Sequence, residues 1–412
     1  MTNKFNVIYQ GSVLNRSGYG CWADEIATAL IKYPLFNTII LQTGWGSCQA
    51  RQVQGPNDDL IKSHIVNGKK QLAQPHIYIA HSLPHLANPQ GSIFNINISA
   101  GLETDQLPDD WVDGLIINPN NNQATNIKSG VNHWDLNIVL SNFTKQTYLN
   151  SKIKPTKPIE VIPWGMDISI FKKDETSNAN VEQLLSNITE DEAFLFIGQE
   201  TNPNLFMDRK NIDNLIKDFS EAFKGKDKKP ALILKTSGCN FSTYDRNTTI
   251  ERIRAVKDMT LDNDVSVFLI HGELTDEELN ALYNHKKVIA FITETRGEGA
   301  GGSIAQVSLV GKPIIAPNHS GYLDFIDNRS ILIKGDLTEI PIEAQSKWFK
   351  KGFKWFEVNH EAMKTAMNDF FYNDRTVHIR NAESLAKENK TRLSLDTMQR
   401  NLYKILDKYL KH

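Results

Sequence analysis

Apolar residues along the 412-residue chain fall into two patterns. Short runs at 5–9, 39–41, 77–80, 136–140, 193–197, 232–236, 265–270, 288–292 and 314–316 predict strands, most of them continuous enough to be buried on both faces. Residues 94–98 alternate like a half-buried strand. Between these runs, helical spacing takes over. Ile26, Ala27 and Leu30 predict a helix over about 22–32, a second runs from Ile212 to about Phe223, and an amphipathic one covers 393–410. Ser141 and Thr275 stand as N-caps of two more. Strand–helix alternation throughout predicts an α/β protein with parallel sheets. The length suits two domains, and the polar stretch 172–191 reads as the linker between them.

One stretch organises the second half. The strand 288–292 ends in Thr293-Glu294-Thr295-Arg296-Gly297-Glu298-Gly299-Ala300-Gly301-Gly302-Ser303. A helix starts near Ser303, Gly311-Lys312-Pro313 stops it, and strand 314–316 follows. This is a βαβ unit whose turn lies where open α/β sheets bind ligands. Glycines let backbone approach a ligand and leave N–H groups free at a helix N-terminus, a phosphate site. Glu298 cannot help bind phosphate by charge. It can accept hydrogen bonds from hydroxyls beside a phosphate, which points to a sugar. The other reading is an ordinary loop whose glycines only turn the chain.

The run from Glu298 to Gln306, followed by Gly311-Lys312-Pro313, resembles the Glu-seven-residues-Glu signature of family 4 glycosyltransferases. Gln306 stands where the second Glu is usual, and Gly302-Ser303 replace an apolar residue and proline. The resemblance implies the GT-B fold: two Rossmann-like domains facing across a cleft, with the C-terminal helix crossing back to the first. It implies an acceptor domain over 1–171 joined by helix 393–412, and a nucleotide-sugar donor domain over 192–392. In that family the first Glu holds the donor sugar and the second the nucleotide ribose, so Glu298 and Gln306 take those roles here. Arg209-Lys210 matches the basic pair that neutralises the donor diphosphate. Gly301, Gly302 and Ser303 supply N–H groups, Lys235 emerges at a strand's carboxyl end, and the loop at Gly272 frames the base. Gly18-Tyr19-Gly20 resembles the first loop, near donor phosphates and acceptor, and Arg16 and Tyr19 are contact candidates there, unless the segment is a plain turn. Glu103-Thr104, then Leu107-Pro108 and Trp111, resembles an acceptor-side pattern. Glu103 is read at the end of its strand, where it either orients an acceptor hydroxyl or caps the next turn.

The activity so implied is transfer from a nucleoside-diphosphate sugar, UDP being the family's commonest carrier, to a hydroxyl acceptor with retention and without metal or other cofactor. The acceptor is a glycan, a lipid-linked sugar or another hydroxyl compound. Two alternatives remain: a transferase acting on hydroxymethylated DNA bases, and a non-catalytic sugar-nucleotide binder, suggested by Gln306. The segment 346–356 interleaves lysines with aromatics. It is either a nucleic-acid or membrane patch or, as its spacing favours, a partly buried aromatic segment with solvated lysines.

Composition narrows this only a little. The net charge of −2 advertises no polyanion partner, and three widely spaced cysteines argue against a disulfide frame. No apolar run reaches membrane-spanning length and no signal-like core opens the chain, so a cytoplasmic protein is expected. His76, His81 and His85 lack the helical register or nearby acid of a metal site, although His81, ending a strand, is placed with the acceptor-side residues. Asp262-Asn263-Asp264 is formally a metal-binding triplet but precedes its strand, and is read as a turn.

Overall fold

The computed structural model describes residues 4–46, 48, 50–51, 54–66, 76–117, 123–200, 202–238, 241–260 and 264–410. Asp262, Asn263, Cys239 and most of the asparagine-rich patch at 118–126 therefore lie outside the described residues. The chain forms two compact units, Met1–Gly165 with Leu395–His412, and Met166–Ser394.

In the first unit, β1 (Phe5–Gly11), β2 (Phe36–Gln42), β3 (His76–His81) and β4 (Phe94–Ser99) belong to one parallel sheet. β5 (Gly114–Ile117) and β6 (Ala124–Ser129) form a separate antiparallel pair. β7 (Leu136–Val139) and β8 (Ile159–Val161) complete the six-stranded sheet in the order β2-β1-β3-β4-β7-β8. Its helices are α1 (Gly18–Lys32), α2 (Asp58–His64), α3 (Asp109–Val112) and α4 (Asn142–Asn150). α1 starts four residues before the expected Trp22, so Gly18-Tyr19-Gly20 is a helical first turn and not a loop. Ser17 caps it by accepting from the Gly20 N–H at 3.0 Å. Gly20 is required there, because a Cβ would meet Asn15 Oδ1 at 2.2 Å.

The second unit repeats the plan. It opens with α5 (Ala179–Leu185), inside the stretch expected to be a linker. Asn178 caps this helix, and Val181 and Leu185, one turn apart, are buried. β9 (Ala193–Ile197), α6 (Ile212–Phe223), β10 (Ala231–Lys235), α7 (Thr243–Met259), β11 (Val267–Ile270), α8 (Asp276–Asn284), β12 (Val288–Ile292), α9 (Gly302–Val310), β13 (Ile314–Pro317) and β14 (Ile331–Ile333) follow in βα alternation. The parallel sheet runs β11-β10-β9-β12-β13-β14. A hairpin of β15 (Gly335–Glu339) and β16 (Lys354–Val358), then α10 (His360–Tyr372) and α11 (Thr376–Arg392), complete the unit. α6 buries Ile212, Leu215, Ile216, Phe219 and Phe223 at helical spacing, against Phe194 and Phe196 of β9 and Met363, Met367 and Phe370 of α10. α12 (Leu395–Leu410) belongs to the first unit, where Tyr403 Oη donates to Ala29 O at 2.8 Å.

The aromatic–lysine segment resolves as part of the β15–β16 hairpin. Phe353, Trp355 and Phe356 are buried, while Lys347, Lys351 and Lys354 are exposed. Among the described residues, no helix is long and apolar enough to cross a membrane.

Candidate functional site

Both sheets reverse direction of growth at one point: between β1 and β3 in the first unit, and between β9 and β12 in the second. Ligands bind open α/β sheets outside the carboxyl ends of the strands at such points. In the second unit, the loop 198–211 after β9 and the loop 293–301 after β12 meet there. Ser303 Oγ donates to Ile197 O at 3.2 Å, tying the start of α9 to the end of β9.

Glu298 is the hub of this corner. Its Oε1 accepts from Lys210 Nζ and from Thr295 Oγ1 (2.9 Å), and Arg209 Nη1 lies 3.4 Å away. Arg209 also donates to the Gly297 carbonyl. Burial pushes the Glu298 carboxyl up, but Lys210 and Arg209 outweigh it, and the carboxyl ends below its ordinary range. It is an ionised carboxylate in a nearly closed setting. The backbone is clamped as well: the Glu298 N–H donates to Ser320 Oγ at 3.1 Å, and the Gly321 N–H to Glu298 O at 2.9 Å.

Beside this ion cluster stands the N-terminus of α9. Its N-cap is Gly301, no side chain caps it, and no acid occupies its first turn. The N–H groups of Gly302 and Ser303 and the positive end of the helix dipole make a receptive place for an anion. Gly301 is favoured by φ +78°, and a Cβ there would crowd Tyr322 Cδ1 at 3.1 Å.

Residues absent from the sequence reading hold the corner in shape. Arg296 Nη1 donates to Phe206 O and Asp208 O, both at 2.8 Å, its Nε pairs with Glu357, and its guanidinium lies 4.3 Å from the Trp355 ring centroid. Of the four non-glycine residues with positive φ among those described, Phe206, Asn211 and Ser320 border these loops. Ser320, at φ 94° and ψ 177°, occupies a region suited to glycine, and such strain concentrates at functional sites. Glu200, just after β9, is pushed up to about 8 by burial; Arg252 opposes the shift, and Asp213, Asp208 and Asp245 add to it. Its perturbed titration, invisible in sequence, marks it as another group of this corner.

Other expected residues stand further off. Gln306 lies one turn into α9, and its carbonyl accepts from Tyr283 Oη at 3.0 Å, the same oxygen assigned to ribose hydroxyls. Lys235 ends β10, one strand from the switch point, with Nζ 5.2 Å from the Phe241 ring centroid. Gly272, at φ +126°, follows the edge strand β11, and a Cβ there would meet nothing within 4 Å.

In the first unit, Gly11 ends β1 in register with His81 at the end of β3. His81 is fully buried, against Tyr9, Tyr19 and Trp22, with Nδ1 2.7 Å from Tyr9 Oη. The Tyr9 hydroxyl donates to Ala23 O, so the imidazole carries its proton on Nδ1. Burial holds His81 down at about 3, keeping it neutral, and its Nε2 has no hydrogen-bond partner. Tyr19 stacks on Trp45 at 3.8 Å and 3°. Arg16 is half-buried and Gly18 is exposed. Glu103 does not end β4, which stops at Ser99; four residues of irregular backbone carry it, half-buried, beyond the strand. Thr104 Oγ1 donates to Gln106 O at 2.8 Å, so this hydroxyl holds a local turn. Among the described residues, His76, His81 and His85 form no metal-holding group.

Two six-stranded parallel sheets, each flanked by helices and each with its own switch point, make this a GT-B fold. Solved structures of the same fold include a glycosyltransferase from Rickettsia africae (15% identity, all of both chains, TM-score 0.64). Sucrose-phosphate synthase from Thermosynechococcus elongatus is similar over 99% of this chain and 100% of its own (12% identity, TM-score 0.63). HepE of Anabaena, solved in complex with UDP and glucose, is similar over 98% of this chain and 100% of its own (12%, 0.58). At such identities the likeness is one of fold. No family model and no curated protein matches the chain.

Proposed function

We propose that the protein is a glycosyltransferase that moves a sugar from a nucleoside-diphosphate sugar, with UDP the favoured carrier, to an acceptor hydroxyl. The observation that carries this reading is the ionised, buried Glu298 between Arg209 and Lys210, beside the uncapped N-terminus of α9. A departing nucleoside diphosphate needs positive charge fixed in advance, and here two cations and a helix N-terminus converge at a switch point. Glu298 supplies the complementary part, a carboxylate to accept from sugar hydroxyls. That HepE, of the same fold, has also been solved in complex with UDP-glucose supports the choice of a UDP-sugar.

In this reading the second unit holds the donor. Arg209 and Lys210 take up the charge that develops on the leaving phosphate, Gly301, Gly302 and Ser303 donate to it, and no metal is required. Lys235 and the loop at Gly272 contact the nucleotide, and Gln306 reaches ribose after exchanging its bond with Tyr283. The first unit meets the acceptor through Arg16, Glu103 and the Tyr19–Trp45 stack, with Gly18 and Gly20 near the phosphates. The resemblance of the Glu298-to-Gln306 run to family 4 enzymes supports a retaining reaction, the sugar cation being attacked on the face the nucleotide leaves. A glycan or another polyhydroxyl compound suits the aromatic first-unit site. DNA bases lose much of their local support, because three of the five aromatics of 346–356, Phe353, Trp355 and Phe356, are buried core residues. Three widely spaced cysteines are in keeping with a reducing, cytoplasmic setting.

The test is nucleotide release from UDP-, GDP-, ADP- and TDP-sugars, without acceptor, by wild type and Glu298→Ala. Slow hydrolysis of one donor, falling by about 100-fold or more in the variant, is expected. Failure of every donor to shift the melting temperature would remove the donor-site assignment.

A further inference from the structure

A second cluster of chemistry-bearing side chains lies in the core of the second unit; its three donor residues are distinct from Glu298, Arg209 and Lys210, although Glu294 belongs to the same loop as Glu298. Asp218 sits on α6, among the apolar residues that pack this helix on β9 and α10, and is 1% exposed. Glu294, the second residue after β12, has a side chain with no exposed surface. His360 opens α10, its ring 40% exposed. One donor atom from each, a carboxylate oxygen of Asp218 and of Glu294 and a ring nitrogen of His360, lie within 4.8 Å of one another. His360 Nδ1 is 2.6 Å from Asp218 Oδ2 and 3.9 Å from Glu294 Oε2.

The telling feature is Glu294. Neither of its carboxylate oxygens meets a donor: the side chain within hydrogen-bonding range is another acid, Asp218, and Glu357 Oε2, whose charge bears on Glu294, has no partner either. Burying a carboxylate without partners is among the more costly arrangements a core can hold. Three acids, Asp218, Glu294 and Glu357, face one permanent cation, Arg296, together with the His360 ring, on which Lys217 also acts. With a neutral imidazole, and leaving out Lys217, whose side chain is 46% exposed, a divalent cation brings that local sum to zero.

We propose that Asp218, Glu294 and His360 bind one divalent transition metal ion of the zinc class. One nitrogen and two carboxylate donors suit zinc and its neighbours, whereas calcium and magnesium select oxygen alone. Donors bound at about 2.0–2.1 Å around a tetrahedral ion stand about 3.3 Å apart. The Asp218–His360 pair opens slightly and the His360–Glu294 pair closes, movements below 1 Å. The half-exposed ring gives the ion its path in, and a water completes the coordination on that side. The ion acts as a brace: it joins α6, α10 and the first residues of the loop that presents Glu298, four positions further on. This inference is independent of the transferase reading.

The test uses the tag-free chain, stripped with chelator and titrated with Zn²⁺ and, as a spectroscopic probe, Co²⁺. We expect uptake of one equivalent, a visible Co²⁺ absorption typical of four- or five-coordination, and a rise in melting temperature. His360→Ala, at a half-exposed position, folds and binds at least about tenfold more weakly, and Glu294→Gln does the same. Three results would overturn the proposal: no stoichiometric uptake, uptake unchanged by His360→Ala, or a wild type indifferent to zinc whose Glu294→Gln variant melts higher. The last would mean that the acids share a proton instead.

Discussion

The two sheets present their switch points in opposite materials. After β9 and β12 the chain gathers ions: Glu298 with Arg209 and Lys210, braced by Arg296 and Glu357. After β1 and β3 it gathers rings: Tyr9, Tyr19, Trp22 and Trp45 around a histidine that burial keeps neutral. The same topology thus builds one corner from charges and the other from packed rings, most of them buried. Fixed charges act on groups whose charge changes during reaction, while aromatic faces hold a ligand of constant charge. The difference is in substance and not in fold.

The comparison breaks most visibly at Lys210. Lys210→Met should lower kcat/KM for the donor by about 10²–10³, with a smaller loss of nucleotide affinity, because the cation matters most as the phosphate departs. Equal losses in both would reduce Lys210 to a ground-state binding group.

A pH experiment sharpens the ionic side. Folded Glu200 keeps its proton to about 8, well above its value of 4.5 in the unfolded chain. The folded state therefore binds more protons between these limits, and the carboxyl's contribution to stability falls as pH rises from about 4.5 to 8. Glu200→Gln removes that loss, on the order of a few kcal/mol. Its melting temperature relative to wild type should climb from pH 5 to pH 8.5, and a constant difference would contradict the assignment.

The aromatic side should be quieter. His81→Leu removes a neutral ring whose one bond is to Tyr9, which keeps its bond to Ala23. Unfolding by urea should show a loss of about 1 kcal/mol. Transfer should be unchanged; collapse of turnover in a stably folded variant would show that the unpartnered Nε2 touches substrate.

What could be read in advance follows from the range of the forces involved. The strand β12 was legible to the residue, because a buried parallel strand needs an unbroken apolar run. So was the N-cap Thr275, whose capping box with Glu278 lies within one turn. α1 was read late, because Gly18 and Gly20 look like loop residues until Ser17 is seen to cap them. α5 hid in polar sequence, since seven residues with two buried positions make no pattern. In the site, Glu298 and the Arg209-Lys210 pair could be brought together from a resemblance. The roles of Arg296 and Ser320 could not, for each depends on partners supplied by the tertiary fold. The same holds for Asp218, Glu294 and His360.

Arg296 also sets a schedule. Its guanidinium is held by Glu357, 61 positions later, and covered by Trp355. A ribosome that has just delivered Arg209, Lys210 and Glu298 has made the central ion cluster of this corner, yet the clamp that shapes it is still unmade. At ~5–20 residues per second, the missing hairpin follows roughly 3–12 s afterwards. During that interval the nascent chain carries the ions of the site without its geometry, and it gains both only when β16 closes on β15.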